Sequence, residues 1–157
     1  MPHKAQAMFR SERQDWATPW DFFKKQESKY GPFDLDVCAT PENSKCNKYF
    51  TPQDDALSLH WQGNCWMNPP YGRKIAKWLE HAWRETCLLN NSSQVVCLIP
   101  ARTDTSWWHD YVIKYAAQIE FIRGRIKFEG ATENAPFPSA VVLFRPVGSE
   151  IGVVDES

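Results

Sequence analysis

Cys65-Trp66-Met67-Asn68-Pro69-Pro70-Tyr71-Gly72 is an apolar run that stops at an amide, two prolines and a tyrosine. Beyond Gly72, apolar residues fall at 75, 78, 79, 82 and 83, the stripe of an amphipathic helix. The stretch therefore reads as a strand, a sharp turn and a helix. The two prolines fix φ and remove two backbone donors. Their carbonyls, and the side-chain carbonyl of Asn68, are left to accept hydrogen bonds. Tyr71 adds a flat apolar face with a polar tip. Acceptors beside an aromatic platform suit a planar amino group, such as the exocyclic NH2 of a nucleobase. A base reached in this way has to leave the helical stack.

The same alternation extends in both directions. Upstream, Thr18-Pro19 predicts a helix start, with Thr18 as N-cap and Pro19 at the first helical position, running to Gly31-Pro32. Phe33 to Cys38 alternates apolar residues with Asp34 and Asp36 and predicts a strand. Residues 40–60 are polar and read as a loop holding a minimal strand at Tyr49-Phe50. Downstream, Asn90-Asn91-Ser92-Ser93 ends the helix, and Val95 to Ile99 is a continuous apolar run suited to a central parallel strand. Asp104 or Thr105 caps a further helix carrying Trp107, Trp108, Tyr111, Val112 and Tyr115. Strands are expected at Ile119–Ile122, at Ile126–Phe128 and at Ala140–Phe144, the last part forming an antiparallel ending with a long loop. The pattern predicts an α/β fold. Residues 1–13 are read as a flexible N-terminus, 14–146 as one domain and 147–157 as a C-terminal tail.

Composition narrows the class. The chain has 157 residues, of which 43% are hydrophobic and 14% aromatic, so it carries enough apolar surface for a globular core. A net charge of -1 argues against nonspecific coating of nucleic acid and leaves room for a local basic face, for which Arg123-Gly124-Arg125-Ile126-Lys127 is the best candidate. Five cysteines without a Cys-x-x-Cys pair, and histidines without ligand spacing, point to reduced thiols and to no metal. No run suits a membrane span or signal peptide. In an open α/β sheet, ligands bind outside the carboxyl ends of the strands. Asp36, Asn68 and the Pro100-Ala101-Arg102 stretch lie at such ends.

Asn68-Pro69-Pro70-Tyr71 resembles the Asn/Asp-Pro-Pro-Tyr signature of amino-methyltransferases. Trp16-Ala17-Thr18-Pro19, Phe33-Asp34-Leu35-Asp36-Val37-Cys38-Ala39, Asp55-Ala56-Leu57, Trp61 and Gly124-Arg125-Ile126-Lys127-Phe128 accompany it in order. As a set, over about residues 14–146, the chain resembles the small phage-associated DNA N6-adenine methyltransferases, often called Dam-like. The resemblance implies a compact Rossmann-like fold dependent on S-adenosylmethionine, its sheet mostly parallel with an antiparallel C-terminal strand. It also implies DNA as the partner and the cytoplasm of a bacterial host as the location. Asn68 and Pro69 would accept the N6 hydrogens of adenine, beside Pro70, and Tyr71 would stack on the extruded base. Trp16, Thr18 and Pro19 would close over the methionine end of the cofactor, and Asp36 would contact its ammonium or ribose. Asp55, or its neighbour Asp54, would approach the cofactor adenine. Arg102, Arg123, Arg125 and Lys127 would contact DNA. One departure stands out. Asp36-Val37-Cys38-Ala39-Thr40 replaces the Gly-rich loop of the wider methyltransferases, with small Cys38 and Ala39 permitting a similar close approach.

Bland readings stand beside these. Asp36 can be a loop cap, Thr18 a helix cap, Tyr71 and the Trp107-Trp108 pair core residues, and Arg125 and Lys127 guards of an edge strand. Two rival functions compete: methylation of another planar amino group (cytosine N4, an RNA base or a glutamine amide), or a nucleic-acid-binding module without cofactor. Asn at position 68 leans toward adenine, because the cytosine enzymes of the resemblance more often carry Ser there. Oligomeric state has no signature in the sequence.

Overall fold

A computed structural model describes residues 16–147. The expected N-terminal stretch 1–13, and all of the 147–157 tail except Val147, lie outside the described residues.

Helix α1 (Trp20–Tyr30) leads into the short strand β1 (Leu35–Asp36), and two 3-10 turns precede β2 (Gly63–Met67). Then come α2 (Ile75–Trp83), β3 (Ser92–Pro100), the helical segment α3 (106–115), β4 (Gln118–Phe121) and β5 (Ser139–Phe144). The five strands form one sheet in the order β1-β2-β3-β5-β4. β1 pairs parallel with β2, and β2 parallel with β3. β5 lies antiparallel between β3 and β4, so four strands run one way and only the C-terminal strand is reversed. This is the α/β arrangement with a reversed last strand that the pattern predicts.

Packing explains the order. Every residue from Gln94 to Pro100 of β3 is buried, and so is every residue of β5. Such runs can only sit in the middle of a covered sheet. Trp66 of β2 meets Phe23 of α1 edge-on at 5.2 Å, and Phe33, beyond the helix end, at 5.6 Å. The stripe of α2 buries Ile75, Leu79 and Ala82, and Trp83 stacks on Tyr115 of α3 at 4.3 Å. Gly63 opens β2 with φ 82, and a Cβ there would meet Asp34 Oδ2 at 2.6 Å, so both conformation and space require glycine.

Four local expectations change. Thr18 is not the N-cap of α1: Pro19 occupies that position without a side-chain cap, and Thr18 is buried. Only Leu35–Asp36 of the expected Phe33–Cys38 strand pairs with β2, and a single bridge joins Asp36 to Tyr49. α2 continues through a π-helical turn, Arg84–Leu88, and β3 begins at Ser92 rather than Val95. Ile126–Phe128 forms no strand. Ile126 and Phe128 are buried while Arg125 and Lys127 are exposed, so the period of two is present. β5 is already paired on both sides, by β3 and β4, and offers no edge for another strand. Thr105 does cap α3, its hydroxyl accepting from Trp108 N at 3.3 Å.

Candidate active site

The parallel strands deliver Asp36 and Asn68 side by side at their carboxyl ends. A cavity of about 370 Å³ opens there, lined by Trp16, Thr18, Asp36, Cys38, Ala39, Lys45, Trp66, Asn68, Pro69 and Pro70 among others. Of the residues singled out from the sequence, Trp16, Thr18, Asp36, Ala39, Asn68, Pro69 and Pro70 are thus brought together. Pro19, Asp55 and Tyr71 are not on the cavity wall. Pro19 caps α1. Asp55 is exposed, in a left-handed turn at φ 54, and Pro52 reaches the cavity instead. Its neighbour Asp54 is spent on a capping box with Thr51.

Asp36 is 3% exposed. Its Oδ1 accepts from Cys38 N at 3.3 Å and its Oδ2 from Lys45 N at 3.0 Å, so the carboxylate also folds the loop that walls the cavity. Burial outweighs these bonds and the nearby Lys45 charge, and raises its pKa from 3.8 to about 6. Lys45 is pulled the other way: desolvation lowers its pKa against the attraction of Asp36 and Glu129, and its ammonium sits 4.0 Å over the Trp20 ring. Cys38 lies beside Asp36 with its thiol pushed up to about 12, first by burial and then by the Asp36 charge, which makes it a poor nucleophile.

Asn68 is held at both ends of its amide. Its Nδ2 donates to the Trp16 carbonyl and, at 2.9 Å, to Thr18 Oγ1. Its Oδ1 accepts from the Tyr71 hydroxyl at 2.8 Å. The same hydroxyl lies 3.1 Å from the Leu98 carbonyl of β3. Tyr71 is 5% exposed, with its ring edge-on to Phe128 and Phe137. The ring is therefore core rather than an open platform for a base, and its polar tip steadies the amide.

The loop 122–138 completes the enclosure. Phe128 and Phe137 meet the Trp16 ring at 5.3 and 5.2 Å. Glu129 N donates to the Ala17 carbonyl at 3.0 Å, and Glu129 Oε1 accepts from Trp20 N at 3.3 Å. Segments from opposite ends of the chain thus close one wall.

Comparison with known proteins now decides the family. A family model described as DNA N-6-adenine-methyltransferase (Dam) matches residues 6–156. The chain belongs to this family. It is 34% identical over 145 residues to the DNA N-6-adenine-methyltransferase of Haemophilus phage HP1, covering 87% of this chain and 82% of that protein. It is 32% identical over 98 residues to the DNA N-6-adenine-methyltransferase of Escherichia phage T1, covering 59% of this chain and 38% of the larger relative.

In this Dam-family chain, the cations expected to meet DNA are all exposed. Arg102 follows β3, with its guanidinium 5.7 Å from the Phe137 ring centre. Arg123, Arg125 and Lys127 follow β4 on the enclosing loop. β4 runs with β3, so both loops leave the same end of the sheet as Asn68. Among the described residues none of these four forms an ion pair. Arg73 and Lys74, also exposed, follow Tyr71-Gly72 and share this end. They are not among the sequence-predicted cations, although their place beside the Pro-Pro turn could have marked them. Lys45 and Glu129 are further additions that no local pattern marks, because only loop folding carries them to the cavity. Among the described residues no cluster of three or more His, Cys, Asp or Glu could hold a metal, and no helix is long and apolar enough to cross a membrane.

Proposed function

We propose that this chain transfers a methyl group from S-adenosylmethionine to N6 of adenine in DNA. The observation that carries the proposal is a shared wall: Asn68, Pro69 and Pro70 line the same cavity as the buried Asp36 carboxylate. An amine acceptor and a cation acceptor therefore meet in one enclosure. Membership of the DNA N-6-adenine-methyltransferase family supports adenine over the other planar amino groups.

The cavity fits the cofactor chemically. Asp36 suits its ammonium and Lys45 its carboxylate, while Trp16, Ala39, Pro52 and Trp66 offer apolar surface. Cys38 and Ala39, the small residues that stand in place of the Gly-rich loop, line this cavity, which favours a cofactor site over a module without one. When bound, S-adenosylmethionine supplies a methyl group on a positively charged sulfur. Asn68 Oδ1 and the Pro69 carbonyl accept the two N6 hydrogens of adenine, turning the nitrogen lone pair out of conjugation. Both acceptors also stabilise the positive charge that develops on N6, and because they are held in place beforehand, no reorganisation is needed at that moment. Tyr71 steadies Asn68 from below. The exposed Arg73, Lys74, Arg102, Arg123, Arg125 and Lys127 surround this end of the sheet with positive charge for the DNA backbone.

The test is incubation of DNA of varied sequence with methyl-labelled cofactor, followed by nucleoside analysis. N6-methyladenine is the expected product. Label in N4-methylcytosine, or only in RNA, would replace the substrate assignment; no transfer, with tight DNA binding, would favour a binding module.

A further inference from the structure

Asparagine presents two ends of nearly the same shape and opposite polarity. If Asn68 turned its amino group to the substrate, donor would face donor and the adenine amine could not be held. The orientation of this one amide therefore matters to the reaction, and the residues around it decide that orientation. The Trp16 carbonyl can only accept, so it takes a hydrogen from Nδ2 and repels Oδ1. Thr18 Oγ1 takes the second Nδ2 hydrogen at 2.9 Å. The Tyr71 hydroxyl donates to one side of Oδ1 at 2.8 Å. An amide oxygen has two lone pairs, so one remains for an incoming N–H.

We propose that Thr18 is a positioning residue for methyl transfer, acting with Tyr71 to hold the Asn68 amide so that a single Oδ1 lone pair is offered to the substrate amine. This role rests on the reading of the site as an adenine N6 methyltransferase centre. Thr18 is 3% exposed, although it is a small polar residue just before a helix, where a hydroxyl ordinarily caps the helix instead. Its oxygen is turned inward onto Asn68, and the helix amide it would have served, Trp20 N, is met by Glu129 instead. The Thr18 hydroxyl could also donate to a reversed amide, so Thr18 holds the plane of the amide while the Trp16 carbonyl, which can only accept, fixes which end faces inward. Tyr71 could not set the amide alone. Its hydroxyl can donate to Leu98 O at 3.1 Å and accept from a reversed amide equally well. The N-terminal segment thus breaks the tie, and Trp16 and Thr18 link the closing of the cavity to the acceptor that holds the base.

The experiment is steady-state methylation of adenine-containing DNA by the full chain and by Thr18→Val, Thr18→Ser and Tyr71→Phe, with cofactor affinity measured by calorimetry. Thr18→Val keeps the shape and removes the acceptor, so kcat should fall about ten- to a hundredfold, with cofactor Kd within about twofold. Thr18→Ser should restore most of kcat. Tyr71→Phe should lower kcat in the same way, and the double variant should lose less than the product of the two single losses, since both act through one amide. Unchanged kcat in Thr18→Val overturns the proposal. So does a loss of cofactor affinity with kcat intact, which would make Thr18 a cofactor contact. If Thr18→Val does not fold, Tyr71→Phe decides: a loss of less than about twofold overturns the coupling. Absence of N6-methyladenine from the wild-type reaction would instead sink the reading of the site, and this proposal with it.

Discussion

Replacing Asp36 by asparagine should make the cofactor-free protein less sensitive to rising pH while weakening cofactor binding. Burial raises the Asp36 pKa from 3.8 to about 6. Between those values the folded state holds a proton that the unfolded state has released. The contribution of Asp36 to stability is therefore greatest below about pH 4, falls as pH rises toward 6, and is fully lost above it. That difference corresponds to about 3 kcal/mol. The substituted amide carries no charge, so this fall disappears. It does lose one acceptor for the Cys38 and Lys45 amides, a cost of about 1–2 kcal/mol at every pH. Relative to wild type, Asp36→Asn should thus be destabilised near pH 4 and gain about 3 kcal/mol by pH 7. Binding should move the other way. A cationic ligand favours the carboxylate, which is about one-tenth populated at pH 5 and about nine-tenths at pH 7, so wild-type affinity should rise about tenfold over that interval. Both pH values lie below the range in which an α-amino group titrates, so the ligand itself stays charged. Asp36→Asn should bind about ten- to a hundredfold more weakly at pH 7 and lose the pH dependence. Chemical denaturation of the cofactor-free chain and calorimetric titration with cofactor, each at several pH values, supply both readings. A variant that binds within about twofold of wild type, with the same pH profile, would show that Asp36 only shapes the loop.

Asn68→Ala should reduce methyl transfer by more than tenfold, about 1.4 kcal/mol or more, with cofactor Kd nearly unchanged; equal loss of both in paired activity and titration measurements would move Asn68 from the substrate to the cofactor. Arg125→Ala should cost about 1–3 kcal/mol in DNA binding and relax sequence preference if it reads a base edge, whereas Lys127→Ala should weaken all sequences alike and flatten the salt dependence. Affinities on methylatable and scrambled duplexes across several salt concentrations separate the two, and unchanged values in both variants would remove the loop from the DNA interface. Phe128→Ala should destabilise the chain by about 3–5 kcal/mol, because a ring packed on Trp16, Tyr71 and Phe137 is deleted outside the sheet. A melting shift worth less than about 1 kcal/mol would mean that the 122–138 loop is not packed as described.

Much of this protein is written in short-range pattern. The unbroken apolar run at Val95–Ile99 leaves no place but the middle of a sheet, and the stripe from Ile75 to Trp83 leaves no choice but a helix against it. The Pro-Pro turn has one rigid course, so Asn68 at a strand end is legible in the sequence alone. These features rest on backbone geometry and burial, which act over a few residues. What stays open in the sequence depends on residues far apart in the chain. Thr18 reads as a helix cap until Asn68, fifty positions away, claims its hydroxyl. Tyr71 reads as a platform until Phe128 and Phe137 cover it. Ile126–Phe128 alternates like a strand, yet β5 has no free edge to pair with it. Glu85, unremarkable in a helical stripe, is fully buried because a π-helical turn aims it at Trp61 N, 2.5 Å away, and at His60. Lys45 and Glu129 reach the cavity only when two loops fold over it. A hydrogen bond needs a partner within about 3 Å, and only the folded chain decides which distant group supplies it.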